Sequence, residues 1–283
     1  MARILKGAPV AEALDKKTAQ AVEALKRRGI DPALGILRVG ERADDLAYER
    51  AAVKRFEKLG IAVRLVNLPE SVKHGALLAQ IAKLNSDNGI HGVLMFRPLP
   101  KHLDECDACE ALVPTKDVDG ITRISAAALY TGTAGGFAPC TAEAVVALLE
   151  HYGVELAGKN VVVVGRSLVI GRPAAMLLMH RDATVTICNS HTAEIEKITS
   201  GADIVVAAIG KAEALGSGCF SPGQVVVDVG INYSAARKKL VGDVDFDAVE
   251  PIVGAITPVP SGVGSVTTAV LARHVVLAAG GSI

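Results

Sequence analysis

Residues 161–173 read VVVVGRSLVIGRP, and they constrain the fold more than any other stretch of this chain. Four consecutive β-branched residues are typical of a parallel strand that is buried on both faces. Gly165 ends this strand, and Gly171 with Pro173 begins a helix through Met179, because proline fits the first turn of a helix. The free backbone amides and the positive end of the helix dipole at such a start form a site for phosphate. The segment therefore predicts the strand, turn and helix of a Rossmann-like domain.

The residues that follow the next strand indicate which nucleotide this turn binds. An NAD-specific site normally places Asp or Glu near the end of that strand, where it accepts hydrogen bonds from the ribose hydroxyls. Here strand 183–188 is followed by NSHT, and no carboxylate occurs before Glu194. Arg166 lies in the phosphate turn itself, and a guanidinium binds a 2′-phosphate through two parallel hydrogen bonds. We therefore predict NADP as the cofactor; the alternative for Arg166 is a solvated turn residue.

The composition argues against several classes of function. Lys+Arg equals Asp+Glu at 30 each, so no electrostatic reason exists to expect nucleic acid or an anionic membrane as a partner. Without an apolar run of membrane-spanning length or a signal-peptide core, we expect a cytoplasmic protein. An odd number of cysteines, 5 in all, fits a reducing compartment. Cys106 and Cys109 lie one helix turn apart without a second ligand pair, so we predict no metal site.

Strands and helices alternate along the whole chain, which is typical of an α/β protein with parallel sheets. Strands are predicted at 33–39, 62–68, 92–96, 161–164, 184–188, 204–208 and 225–229. Helices are predicted near 10–28, 45–59, 75–85, 103–112, 142–151, 171–179 and 266–279. The sequence thus predicts two domains with a cleft between them. Residues 1–139 with 266–283 form an N-terminal α/β domain, and residues 140–265 form a doubly wound parallel-sheet domain.

Further motifs occur in an order that is more specific than any one of them. They are Lys6-Gly7, Tyr48, Pro98-Leu99-Pro100, Lys116-Asp117-Val118-Asp119-Gly120, Pro139-Cys140-Thr141, DVGIN at 228–232, GDV at 242–244 and TPVP at 257–260. With these motifs the chain resembles the methylenetetrahydrofolate dehydrogenase/cyclohydrolase family over essentially its whole length. The resemblance implies that an N-terminal folate domain and an NADP domain oxidise 5,10-methylenetetrahydrofolate to a methenyl cation. In the family, that cation is then hydrolysed to 10-formyltetrahydrofolate.

The same resemblance implies which residues form the site. Tyr48 would lie along the folate and Asp119 would hydrogen-bond its pterin, and these two are the expected catalytic residues. Their chemistry fits, because Tyr48 offers a flat amphipathic ring and an ionised Asp119 only accepts hydrogen bonds; an ordinary Asp-Gly turn is the alternative for Asp119. Further substrate contacts are expected from Phe96, Pro98, Pro258, Pro260, Ser261 and Gly262. Cofactor contacts are expected from Gly165, Arg166, Ser167, Gly171, Arg172, Pro173, Ser190, His191, Ile231 and Thr267.

Two departures from the family pattern fall in the expected folate site. The family's Y-x-x-x-K-x-K reads YERAAVK from Tyr48 onward, so Ala52 stands where the active-site lysine is expected. Four residues are about 400° of helix, so positions 48 and 52 share a face, whereas Lys54 lies roughly 240° around from Tyr48. Phe96 replaces the glutamine that holds this lysine in the family. Hydride transfer depends mostly on positioning, but hydrolysis needs a general base, which is typically worth about 10²–10⁴-fold.

We therefore expect an NADP-dependent dehydrogenase with weak or lost cyclohydrolase activity, which passes methenyl-folate to a separate cyclohydrolase. The first alternative is a fully bifunctional enzyme. Arg50 is a poor replacement for the lysine, since it stays protonated and lies about 200° from Tyr48. The second alternative is a non-catalytic sensor of folate or NADP, against which Tyr48, Asp119 and the phosphate turn argue. We expect a homodimer, a common state of soluble enzymes.

Three smaller departures affect the binding loops. Ser261 and Ser265 stand where the family usually has Gly and Pro, which puts the conformation of the closing loop 258–264 in question. His191 stands where a Lys or Arg often helps to bind the NADP phosphate. The preference for NADP over NAD is therefore expected to be softer than in the family.

Overall fold

The computed structural model describes residues 1–283. The strands are β1 Arg3–Ile4, β2 Ala33–Val39, β3 Ala62–Leu68, β4 Gly92–Met95, β5 Asn160–Val164, β6 Thr184–Cys188, β7 Ile204–Ala207, β8 Val225–Asp228, β9 Asn232–Ser234, β10 Lys239–Val241 and β11 Ala255–Ile256. The helices are α1 Gly7–Arg27, α2 Ala43–Lys58, α3 His74–Ser86, α4 Glu105–Glu110, α5 Arg123–Thr131, α6 Cys140–His151, α7 Gly171–Met179, α8 Ile195–Ser200, α9 Phe246–Val249 and α10 Gly264–Ala278. None of the helices combines the length and apolar character that crossing a membrane requires.

The chain divides into two compact units, which confirms the predicted two-domain α/β fold with parallel sheets. The three-stranded unit contains Ala13–Cys140 and Thr268–Ile283, and the six-stranded unit contains Met1–Glu12 and Thr141–Thr267. The structure differs from the predicted boundaries at the start of the chain, where the sequence predicts one domain over residues 1–139. Met1–Glu12 belongs to the six-stranded unit because β1 pairs in parallel with β11 in its sheet.

The three-stranded unit is built on a parallel sheet in the order β3-β2-β4. The central strand β2 is buried along its whole length, as its apolar sequence requires, whereas the edge strand β3 is largely exposed. Apolar residues of β2 and β4 pack against α3 and α4 to form the core of this unit. Strands 33–39 and 62–68 have the predicted bounds.

The six-stranded unit is a parallel sheet in the order β1-β11-β8-β7-β5-β6. Valine-rich β5 has β6 on one side and β7 on the other, so the direction of chain progression across the sheet reverses at β5. In open parallel sheets, ligands bind outside the carboxyl ends of the strands at such a reversal point. The predicted phosphate turn begins directly after β5 and therefore lies at that point.

Some elements were not predicted. These are β1, β11, the antiparallel hairpin of β9 and β10, and the helices α5, α8 and α9. The two-residue strands β1 and β11 are too short to show any hydrophobic period, so tertiary pairing alone defines them. The predicted helix 103–112 is shorter in the structure, at Glu105–Glu110.

Candidate active site and cofactor-binding region

Lys116 of the KDVDG motif has a structural role in the three-stranded unit. Its Nζ donates hydrogen bonds to the backbone carbonyls of Leu84, Asn85 and Asp87, at 2.9, 2.8 and 2.7 Å. These carbonyls lie at the end of α3, where the last C=O groups of a helix lack partners within the helix. The Lys116 ammonium therefore ties the start of the motif to the end of α3.

Asp117, the first carboxylate of the motif, is completely buried and fixes the loop that carries Asp119. One oxygen accepts from the Ile121 amide at 2.9 Å. The other accepts from the amide and hydroxyl of Thr122, at 2.9 and 2.8 Å, and from the Ser125 hydroxyl at 2.6 Å. Because Thr122 also caps the start of α5, this carboxylate joins the motif to that helix.

Asp119, the second carboxylate, is half-buried, and its Oδ1 accepts a hydrogen bond from the Cys140 amide at 3.3 Å. Burial raises the pKa of Asp119, and hydrogen bonds from Cys140, followed by the positive charge of Arg97, oppose that rise. Gly120 has a φ of +64°, so the Asp-Gly turn considered from the sequence is present. A Cβ at Gly120 would overlap the Phe137 carbonyl, so the loop passes too close to residues 137–139 for another residue type.

Tyr48 lies on α2 and is half-buried against Phe96, which follows β4. The two rings meet edge to face, with centroids 5.8 Å apart and planes at 84°. Burial raises the pKa of Tyr48 well above its ordinary value, and the Asp119 carboxylate raises it further. The phenol therefore keeps its proton at neutral pH, and the two expected catalytic residues lie near enough for the charge of Asp119 to act on Tyr48. Pro98 is exposed beyond Phe96.

The position of the expected lysine is apolar. Ala52 is completely buried one turn after Tyr48, and Lys54 is exposed. Arg55 is not among the predicted site residues; it lies seven residues after Tyr48, about two full helix turns, and so shares its face. Its Nη1 contacts Asp15 Oδ2 at 2.6 Å, and its charge acts to lower the pKa of Tyr48. The spacing of seven residues was the available signal.

The phosphate turn after β5 depends on two glycines. Gly165 has a φ of +130°, and a Cβ there would overlap the Ala208 carbonyl. A Cβ at Gly171 would overlap the carbonyl of Gly165, so the first turn of α7 packs directly on the turn before it. Pro173 is buried in that first turn. The turn is thus a close-packed backbone cradle of the kind that lets a phosphate approach main-chain amides.

Ser167 modifies this cradle. Its hydroxyl accepts from the Ile170 amide at 3.1 Å and from the Gly171 amide at 3.4 Å, so it covers amides that were expected to be free. The polar side chains expected to contact the cofactor are exposed around it: Arg166, Ser167, Arg172, Ser190 and His191. They follow β5 and β6 at the carboxyl edge of the sheet.

A cavity of about 190 Å³ lies at the same edge of this sheet, after β8 and β11. Ile231, expected to contact the cofactor, lines it together with the expected substrate contacts Pro258, Pro260, Ser261 and Gly262. Thr267 is buried in α10 and does not line this cavity. The structure therefore brings one expected cofactor residue and the closing loop together within the six-stranded unit.

The Lys6-Gly7 motif supports that closing loop. The Gly7 amide donates to the Ser261 carbonyl at 2.8 Å, and a Cβ at Gly7 would overlap the Gly262 carbonyl. Ser261 has a φ of +83°, a conformation that side-chain-bearing residues rarely adopt. Glycine, the family's usual residue there, would adopt it without strain.

The DVGIN and GDV motifs supply two carboxylates that organise the loops beside the cavity. Asp228 accepts from the amides of Gly230, Asp243 and Val244 at 3.0, 3.0 and 2.9 Å. Burial raises the pKa of Asp228 to about 6. The Asp243 carboxylate in turn accepts from three consecutive amides of residues 209–211. The carboxylates of Asp228 and Asp243 therefore hold the backbone of the neighbouring loops in place.

Comparisons with known proteins agree with this geometry. Residues 5–119 match the catalytic-domain model of tetrahydrofolate dehydrogenase/cyclohydrolase, and residues 139–282 match its NAD(P)-binding-domain model. The chain belongs to the tetrahydrofolate dehydrogenase/cyclohydrolase family. Its six-stranded unit accordingly contains most of the family's NAD(P)-binding domain, and its three-stranded unit contains most of the family's catalytic domain.

Individual relatives match almost the whole chain. "Bifunctional protein FolD" of Alkaliphilus oremlandii is 48% identical over 98% of this chain and 97% of its own length. The protein of the same name from Carboxydothermus hydrogenoformans is 47% identical, over 98% and 97%. Among solved family structures, the bifunctional FolD enzyme of Campylobacter jejuni is 36% identical, covers 99% of both chains and has a TM-score of 0.96. The Trypanosoma brucei enzyme, solved with NADP and an inhibitor, is 35% identical, covers 99% and 97%, and has a TM-score of 0.92.

Proposed function

We propose that this chain oxidises 5,10-methylenetetrahydrofolate to 5,10-methenyltetrahydrofolate with NADP as the hydride acceptor. One observation carries the proposal: Tyr48, packed edge to face on Phe96, and Asp119, held by the Cys140 amide, both lie in the part of the chain that matches the family's catalytic domain. NADP is supported by the NAD(P)-binding match and by the NADP that the Trypanosoma brucei relative holds. The backbone cradle around Gly165 and Gly171 and the exposed Arg166 fit a phosphate-bearing cofactor.

The reaction moves two electrons and one proton, as hydride, from the one-carbon unit to the cofactor, and leaves a cation on the folate. When bound, the nicotinamide ring supplies the hydride-accepting carbon. Asp119 accepts hydrogen bonds from the N–H edge of the pterin and so sets the orientation of the substrate. Tyr48 keeps its proton and gives the folate a flat, amphipathic surface. The chain's own contribution is therefore mainly positioning.

The names of the relatives favour a second activity as well. Those at 48% and 47% identity are called bifunctional, which supports hydrolysis of the methenyl product to 10-formyltetrahydrofolate by the same chain. This bifunctional alternative has better support from the comparisons than the dehydrogenase with lost cyclohydrolase activity.

A specific observation still favours the second candidate, a dehydrogenase with weakened hydrolysis. Buried Ala52 occupies the lysine position, and the edge-to-face Phe96 ring lies at the glutamine position. Arg55 brings positive charge to the Tyr48 face, but a guanidinium stays protonated and cannot accept a proton from water. A general base typically accelerates such a step by about 10²–10⁴-fold.

Two absorbance assays on one preparation test both candidates. One follows NADP reduction with methylenetetrahydrofolate, and the other follows loss of methenyltetrahydrofolate above its spontaneous hydrolysis. Reduction together with hydrolysis at a comparable rate establishes the bifunctional enzyme. Reduction without accelerated hydrolysis establishes the second candidate, and no reduction with NADP or NAD leaves the sensor alternative.

A double variant tests whether the residues at positions 52 and 96 are the cause of weak hydrolysis. If hydrolysis is weak, Ala52→Lys with Phe96→Gln should raise its rate by about 10²-fold, because the pair restores a base and its polar partner. Ala51→Lys is the matched control: it makes the same chemical change one residue earlier, at an exposed position of α2. An equal gain in the control would show that added charge, rather than a placed base, causes the effect.

Two further predictions belong to this proposal. A separate cyclohydrolase would act downstream only if the second candidate holds, and adding one would then restore 10-formyltetrahydrofolate formation. The predicted homodimer is tested by sedimentation velocity of the purified chain.

A further inference from the structure

His274 of α10 is a buried imidazole to which neither the motifs nor the proposed reaction gives a role. Its side chain is 2% exposed, and its ring stacks on Phe137, with centroids 4.8 Å apart and planes at 35°. Its Nδ1 lies 2.8 Å from the Val118 carbonyl oxygen. Burial lowers the pKa of His274 to about 4, so the ring is neutral at physiological pH. Because a carbonyl only accepts, the proton lies on Nδ1 and is donated to Val118.

Cys140, the first residue of α6, completes the same cluster. Its Sγ donates to the Val118 carbonyl at 3.3 Å and lies 3.7 Å from His274 Nδ1. Its backbone amide donates to Asp119 Oδ1 at 3.3 Å. The Val118 carbonyl thus receives two side-chain donors, and the next residue along the chain is the one expected to contact the pterin.

The loop that carries Asp119 is therefore held on both sides. Asp117 fixes it toward α5, and the His274–Cys140 pair fixes it toward α10 and α6. A purely packing role would be filled better by an apolar side chain, because burying an imidazole without a partner costs free energy. Here the hydrogen bond from His274 to the Val118 carbonyl offsets part of that cost, and Val118 directly precedes the expected catalytic carboxylate of Asp119.

We propose that His274 is a positioning residue for Asp119: its Nδ1–H holds the Val118 carbonyl and thereby sets the direction of the Asp119 carboxylate toward the pterin. The inference rests on the proposed function, since it takes Asp119 as the group that binds folate. It predicts that His274 acts on folate affinity and leaves NADP affinity unchanged.

The test compares three variants of the full-length chain. His274→Leu removes the donor but keeps an apolar side chain, and His274→Asn restores an N–H donor near the position of Nδ1. Val276→Ala creates a cavity at another completely buried position of α10 and serves as the control for destabilisation alone. For each variant, we measure Tm, KM for methylenetetrahydrofolate, KM for NADP, kcat, and the Kd of tetrahydrofolate by calorimetry.

We expect His274→Leu to raise the folate KM and the tetrahydrofolate Kd about tenfold, the effect of losing one buried hydrogen bond. His274→Asn should recover most of that loss, and the NADP KM should stay within about twofold in both variants. Val276→Ala should lower Tm without changing the folate KM.

Unchanged folate affinity in His274→Leu, or an equal change in Val276→Ala, overturns the positioning role. Loss in His274→Leu without recovery in His274→Asn also overturns it, because shape rather than the donor would then matter. Failure of the proposed function would give a different result: the unaltered chain would then neither bind tetrahydrofolate nor reduce NADP.

Discussion

The two binding regions of this protein are built differently. The phosphate turn after β5 is formed by main-chain groups. Other backbone carbonyls lie so close to Gly165 and Gly171 that neither position has room for a Cβ. The expected folate site depends on side chains from separate segments, chiefly Tyr48, Phe96 and Asp119. A backbone site tolerates little substitution at its close contacts, whereas a side-chain site can be repacked while the fold is kept. The departures from the family at positions 52 and 96 fall in the side-chain site.

The largest effect is expected from a single methyl group in the backbone site. Gly171→Ala places a Cβ on the Gly165 carbonyl and must displace the turn. The KM for NADP should rise by more than about 100-fold, because a shift of roughly 1 Å misplaces the bound cofactor. Gly216→Ala in the same unit has open space around the new Cβ and is the matched control. Equal KM values for NADP in the two variants would contradict the conclusion that this site depends on close backbone packing at Gly171.

Substitutions at the two carboxylates of the KDVDG loop should have different effects: Asp117 should affect stability, and Asp119 should affect folate binding. Asp117→Asn leaves donors of Thr122 and Ser125 without an anionic acceptor, so the free energy of unfolding should fall by about 3 kcal/mol. Asp119→Asn should leave that free energy within about 0.5 kcal/mol and raise the folate KM by at least tenfold. Urea unfolding and steady-state kinetics measure the two quantities. The reverse pattern would show that Asp119 is an ordinary turn residue.

The pH dependence of stability should report on Asp228 in the six-stranded unit. Its folded-state pKa, about 6, lies above the ordinary value, so the folded chain binds this proton more tightly than the unfolded chain. The resulting stabilisation is complete below the unfolded pKa of about 4 and is lost as pH rises through about 6, by about 2–3 kcal/mol. Unfolding free energies of the unaltered chain and Asp228→Asn between pH 4 and pH 7 give this difference. Parallel curves for the two proteins would contradict the assignment.

The smallest effect concerns the closing loop. Ser261→Gly relieves a φ of +83° and should stabilise the folded chain by about 0.5–1 kcal/mol. Ser265→Gly, in the first turn of α10, should instead destabilise it by several tenths of a kcal/mol, because glycine is a poor helix former. Thermal unfolding of both variants distinguishes relief of strain from a general effect of glycine.

Elements whose local sequence pattern matches their tertiary role were predicted correctly. Strands β2, β3 and β6 have the predicted bounds, and α7 begins at the predicted Gly171. Strands β1 and β11 were not predicted, because they form only by pairing with strands from elsewhere in the chain. In the expected folate site, the departures at Ala52 and Phe96 were readable from the motif, but Arg55 and His274 were not identified.

The α/β class, the phosphate turn and the family follow from the sequence alone, because each is encoded in consecutive residues or in ordered motifs. The tertiary structure decided which polar residues of those motifs support the fold. Lys116, Asp117 and Asp228 hydrogen-bond to backbone or buried hydroxyl groups, while Asp119 accepts from the Cys140 amide and its charge acts on Tyr48. The physical reason is that a buried polar group is defined by its partners, and these partners come from distant parts of the chain.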